Sequence, residues 1–142
     1  MFNQLIIGTV VIALSVVIQA VFVATASALL RRHGARLGER HHSLKLLVIS
    51  VVVTLWLLKG LTVSVWLWAV VFLVFGIFQS LEAAVYFSLI AFTTVGFGDI
   101  VLTPQWRILS GMVAVNGLLL FGFSTAFLFE VIVRLHNQSS ED

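Results

Sequence analysis

Residues 93–99 read Thr93-Thr94-Val95-Gly96-Phe97-Gly98-Asp99, TTVGFGD, and they lie between long apolar stretches. Two glycines alternating with bulky apolar residues make a poor helix. Yet of the 142 residues 61% are hydrophobic and only 10% are charged, with a mean hydropathy of +1.14. Soluble domains run at roughly 45–50% apolar and about 25% charged residues, so part of the solvent around this chain is lipid. Irregular backbone at membrane depth is tolerated only where it is buried in protein or lines a water-filled path. The role of this one segment therefore decides the fold.

Working outward, three apolar blocks emerge. The first runs from about Leu5 to Leu30 without a charge, enough to cross a hydrocarbon core of roughly 30 Å as a helix. The linker RRHGARLGERHHSLK (31–45) follows, with five of the eight basic residues and three of the four histidines. The second block, Leu44 to Phe78, is broken only by Lys45 and Lys59-Gly60. Two crossings of about 20 residues plus a turn do not fit there, so it reads as one long crossing. Lys59 either snorkels towards the cytoplasmic interface or faces protein, because a bare ammonium at mid-membrane costs about 2.5–3.5 kcal/mol or more. Trp66 and Trp68 read as lipid-facing or packing aromatics. The third block spans Trp106-Arg107 to about Leu135, before a polar tail.

Between the second and third blocks, Leu81 to Phe92 has helical apolar spacing but is too short to span. Ser80 is placed to cap its N-terminus, and Glu82 suits the positive end of the helix dipole. A short helix followed by glycine-rich backbone is a re-entrant pattern. Arg31, Arg32, Arg36, Arg40 and Lys45 put the first linker in the cytoplasm, and Arg134 puts the C-terminus there too. Three crossings then leave the N-terminus and the re-entrant segment outside. The start, MFNQ, has no basic residue, and the run after it is too long for the core of a cleavable signal.

Composition excludes several functions. There is no cysteine, so disulfides and thiolate metal sites are ruled out. A net charge of +2 gives nucleic-acid binding little electrostatic support. No H-E-x-x-H and no phosphate loop followed by Lys is present. Gly96-Phe97-Gly98 shares only two glycines with a dinucleotide motif and lacks the preceding strand. The chain reads as neither an enzyme nor a carrier of an organic cofactor.

What the glycines permit is more specific. Only Gly adopts positive φ freely, so alternating glycines let backbone handedness alternate and turn successive carbonyls to one side. Val95 and Phe97 then point the other way, into protein. Carbonyl oxygens stacked along one axis form a site for a dehydrated cation, each oxygen replacing a water of the ion. One chain supplies one wall, so a closed ring needs several copies.

TTVGFGD resembles the selectivity filter of prokaryotic potassium channels. The resemblance extends through the Trp106-Arg107 pair and GLLLFGFSTA (117–126), and it covers about residues 80–130. It implies an all-α membrane protein: three transmembrane helices per subunit, a re-entrant pore helix and filter loop, and a pore made by a homotetramer. Residues 1–43 form an extra N-terminal helix and basic linker, and 44–135 the pore domain. Within the latter fall an outer helix (44–78), pore helix (80–93), filter (94–98) and inner helix (105–135), with 136–142 a short tail. The family resemblance carries K⁺ coordination to Thr94, Val95, Gly96, Phe97 and Gly98 through their carbonyls, with the Thr94 hydroxyl at the inner end. Asp99 falls at the outer mouth. Gly117 matches a flexible glycine of the inner helix, and Phe121 and Thr125, four residues apart, line the inner passage.

Two positions depart from the commoner pattern. Phe97 replaces a tyrosine and so lacks a hydroxyl that tethers the filter to the pore helix. Ile90 stands where some channels place a glutamate, so no carboxylate pair braces the filter. Tyr86 and Phe87 hold aromatic positions around it, with Tyr86 in reach of Asp99. The expectation is a selective filter with few side-chain braces.

Asn116, an amide in an apolar helix, either faces the inner cavity or bonds a neighbouring helix. Gly111, Gly117 and Gly122 also suit close helix packing. Glu130 pairs with Arg134 one turn on. His33, His41 and His42 titrate near neutrality but read chiefly as solvated, and the basic linker suits anionic lipid heads. No crossing carries the arginine ladder of a voltage sensor, and the tail after Leu135 is too short for a ligand-binding domain. The expected function is passive, K⁺-selective conduction across the cell (plasma or inner) membrane. A non-selective cation channel and a non-conducting regulatory subunit are the alternatives.

Overall fold

The computed structural model describes residues 2–33 and 42–137. Four helices follow one another, α1 (Phe2–His33), α2 (His42–Val74), α3 (Leu81–Phe92) and α4 (Arg107–Asn137), and no strand occurs among the described residues. Three of them are long and apolar enough to cross a membrane, over Phe2–Arg31, Leu47–Val74 and Arg107–Arg134. The all-α architecture expected from the sequence is the one observed. The linker residues 34–41 and the tail beyond 137, with the readings placed on His41, Arg36 and Arg40, lie outside the described residues.

α2 and α4 form a central pair, with α1 packed on both of them and α3 likewise packed on both. The helix α2 runs unbroken through Lys59-Gly60 but ends at Val74, four residues before the expected Phe78. Gly76 stops it. With φ 65° it lets its own N–H reach the Leu73 carbonyl (2.9 Å), while the Ile77 N–H reaches that of Phe72 (2.9 Å), a Schellman closure of orphan carbonyls.

Trp66 and Trp68 part company because two residues on a helix are over half a turn apart. Trp66 is 46% exposed, whereas Trp68 is fully buried. Trp68 opens an aromatic cluster: Phe72 lies 6.0 Å from it, Phe87 of α3 5.4 Å from Phe72, and Phe78 5.3 Å from Phe87. These rings, with Phe92, Leu109, Val113 and Leu120, make the core that seats α3 between α2 and α4. A second cluster at the other end joins Ala26, Val53, Leu57, Phe127 and Val131.

The two ends of the bundle are chemically distinct. Gln4 on α1 donates to the Gln105 carbonyl, and Phe75 stacks on Trp106 at 5.6 Å, so the start of α1 shares an end with Arg107. Arg134, paired with Glu130, belongs with Arg31 at the opposite end. Lys59 leans over the Trp56 ring, 5.6 Å from its centroid. Trp56 lies three residues towards the N-terminus of α2, the direction in which helical side chains lean.

Candidate functional site: the segment between α3 and α4

Ser80 opens the site. Its hydroxyl accepts the Ala83 N–H at 3.2 Å from extended backbone, and Glu82 sits in the first turn. α3 then runs inward for 12 residues. Its last residue, Phe92, is buried and stacked 5.8 Å from Phe121 of α4. The backbone of Phe92 lies against Gly117, where a β-carbon would overlap the Phe92 carbonyl. Gly117 is ten residues into α4, or about 15 Å at 1.5 Å per residue. The chain therefore dips to that depth and returns to the level of Trp106.

The end of α3 is closed by the segment that follows it. Thr93 returns both its N–H (3.0 Å) and its hydroxyl (2.8 Å) to the Leu89 carbonyl. The Thr94 N–H reaches Ala91 O (3.0 Å), and the Gly96 N–H reaches Ile90 O (3.1 Å). The negative end of the α3 dipole thus opens onto residues 94–98, which favours a cation there.

Backbone handedness alternates through that stretch. Thr94, Gly96 and Gly98 have positive φ (61°, 49° and 79°), whereas Val95 and Phe97 between them do not. The alternation expected of the glycines therefore begins one step earlier, at a threonine. A non-glycine residue held there costs about 1–2 kcal/mol, and strain of this kind clusters at functional sites. At Gly96 and Gly98 a β-carbon would meet nothing within 4 Å, so conformation and not space requires glycine.

Residues 94–99 are all exposed in the single subunit. Val95 is 53% and Phe97 72% exposed, so the expectation that they point into protein fails for their own subunit. Asp99 is fixed by its neighbour, since the Tyr86 hydroxyl donates to its Oδ2 at 2.6 Å. That hydrogen bond, then slight desolvation and the repulsion of the nearby carboxylate, raise the pKa of Tyr86 above 10.0, and the donor form persists at neutral pH. Ile90 is buried at 6% and braces the segment through its carbonyl, not its side chain.

The four residues expected along an inner cavity divide between faces. Phe121 and Thr125 are exposed, but Asn116 and Gly117 are buried. Nine residues separate Asn116 from Thr125, two and a half turns at 3.6 residues per turn, which puts them on opposite sides of α4. Asn116 is fully buried, and among the described residues neither amide atom has a hydrogen-bond partner. In the single subunit it lies away from the face of α4 that carries Phe121 and Thr125. Gly117 serves close packing against α3.

Sequence reasoning passed over Gln19 and Gln4, the amides of the first apolar block, although an amide in an uncharged span is itself a signal. Among the described residues no cluster of acids and histidines is placed to hold a metal.

A family model described as "ion channel" matches residues 51–134, more than half of the chain. No curated protein and no solved structure matches.

Proposed function

The chain belongs to the ion-channel family, and from that premise we propose that it is a K⁺-selective subunit, four copies of which surround one conduction pathway. The observation that carries this reading is the alternating handedness at Thr94, Gly96 and Gly98, directly after the negative end of α3. Carbonyls turned to one side by such backbone replace the hydration shell of K⁺. Thr94, Val95, Gly96, Phe97 and Gly98 supply them, with Asp99 at the outer mouth. Dehydrated K⁺ is the cargo and repels its neighbour onward through successive sites.

Exposed Val95 and Phe97 support the assembly, because apolar side chains of this size beside a polar path need covering. The chain carries one such segment and no internal repeat of it, so closure takes separate copies. The protein resides in the plasma or inner membrane. The end bearing Arg31 and Arg134 faces the cytoplasm, where the basic linker meets anionic lipid heads. No member of this scheme is an enzyme.

K⁺ flux into liposomes holding the purified protein tests the proposal, with Gly96→Ala as control. Expected are flux from the wild type and none from the variant; equal flux from both refutes conduction through this segment. Reversal potentials in mixed K⁺ and Na⁺ test selectivity, and a value far from that of K⁺ indicates a non-selective cation channel. Absence of wild-type flux indicates a non-conducting subunit.

A further inference from the structure

Where α1, α2 and α4 meet, a glutamine is sealed into the apolar core. Gln19 is fully buried. Its amide nitrogen donates to Ser124 Oγ at 2.8 Å and approaches the Leu57 carbonyl at 3.5 Å. Ser124 passes the bond on to the Leu120 carbonyl at 2.7 Å. Among the described residues the amide oxygen of Gln19 has no partner, and it lies over Gly60, where a β-carbon would overlap it. One helix supplies the amide, the second leaves room for it, and the third accepts its bond.

Stability alone does not account for this arrangement. An apolar side chain would fill the same space without an orphaned oxygen, which is costly when buried. Interhelical hydrogen bonds in membranes are weak and easily exchanged. What the bond does provide is a defined register between α1 and α4. The other end of the linkage is firm: the Trp56 indole donates to the Phe22 carbonyl at 3.0 Å, and the two rings stack at 5.2 Å. α1 is thus bound to α2 beside Gln19, and through Gln19 it holds α4 next to Thr125.

We propose that Gln19 is a positioning residue for the conduction path, making α1 a gating element that sets the inner half of α4 through Ser124. The inference rests on the channel reading above. Gln19 touches no ion and acts through α4.

Single-channel recording in planar bilayers tests it. Gln19→Leu and Ser124→Ala each shift the ratio of open to closed time in the same direction by about 3- to 20-fold, the range a membrane interhelical hydrogen bond supplies. The double variant shifts it no further, and unitary current stays that of the wild type. Gly60→Ala, which displaces the amide from the other side, moves the ratio the same way. A purely structural role lowers the number of channels and leaves the open probability of each unchanged. Wild-type open probability in the single variants, opposed shifts, or additive shifts in the double variant overturn the proposal. Because the chain has no native cysteine, spin labels at Val21→Cys and Phe129→Cys read the distance between α1 and α4 without any current. Gln19→Leu broadens that distribution; an unchanged one overturns the proposal even if the wild type conducts nothing.

Discussion

The Tyr86 hydroxyl and the Asp99 carboxylate meet at 2.6 Å and join the short helix α3 to the chain that leaves residues 94–98. The backbone bond from the Gly96 N–H to the Ile90 carbonyl (3.1 Å) holds the inner part of the segment, and this side-chain contact holds its far end. Tyr86→Phe keeps the ring and deletes the donor. On the proposed channel reading, the expected outcome is unchanged ion selectivity with current that decays several-fold faster during sustained opening, read in macroscopic recordings.

The same contact has a pH signature. Tyr86 has a pKa raised above 10.0 by Asp99, so its contribution is complete below pH 10.0 and is lost as pH rises through the raised value. Decay kinetics therefore stay constant from pH 7 to 9 as far as Tyr86 is concerned. Acceleration sets in only above pH 10 and is absent in Tyr86→Phe.

Gly117→Ala forces a methyl group into the Phe92 carbonyl, and a backbone neighbour cannot rotate away. Overpacking of this kind costs about 1–3 kcal/mol. Thermal unfolding in detergent should show the loss, whereas Gly111→Ala, with nothing within 4 Å of the added carbon, stays within about 0.5 kcal/mol of wild type. Equal stability of the two variants would remove close packing as the role of Gly117.

Asn116→Leu removes two buried polar atoms that have no partner among the described residues. Burial of an unsatisfied polar group costs about 1–3 kcal/mol, so the variant is expected to be as stable as the wild type or more so. A clear drop in the unfolding midpoint would mean that the amide has a partner on another subunit or in bound water.

Ser80→Ala deletes the N-cap of α3 and should cost about 0.5–2 kcal/mol. Since α3 supplies the carbonyls of Leu89, Ile90 and Ala91 that hold residues 93–96, the proposed conduction predicts reduced K⁺ flux alongside the lost stability. Ser80→Asp, an equivalent cap, restores both.

Much of this protein is legible in its sequence because membranes leave the backbone few options. Apolar blocks of about 20 residues or more become helices, since every backbone polar group must be satisfied internally. A run as short as Leu81–Phe92, capped by Ser80 and followed by alternating glycines, has to dip and return. Positive φ at Gly96 and Gly98 follows from glycine itself, and the Tyr86–Asp99 contact follows from the resemblance. Gly76, which ends α2, was an equally readable stop.

Only the tertiary structure decided which face of each helix does what. Asn116 and Gly117 are neighbours in sequence, but their burial depends on where α3 comes to rest against α4. Thr94 joins the left-handed positions because hydrogen bonds to the end of α3 hold it there, against its own preference. Gln19 looks like one polar residue in a greasy span until α1, α2 and α4 close around it. In an apolar chain hydropathy determines what enters the membrane. It does not determine the rotation and register of the helices once inside, because lipid and core are equally apolar. Close approach and a few buried hydrogen bonds settle those.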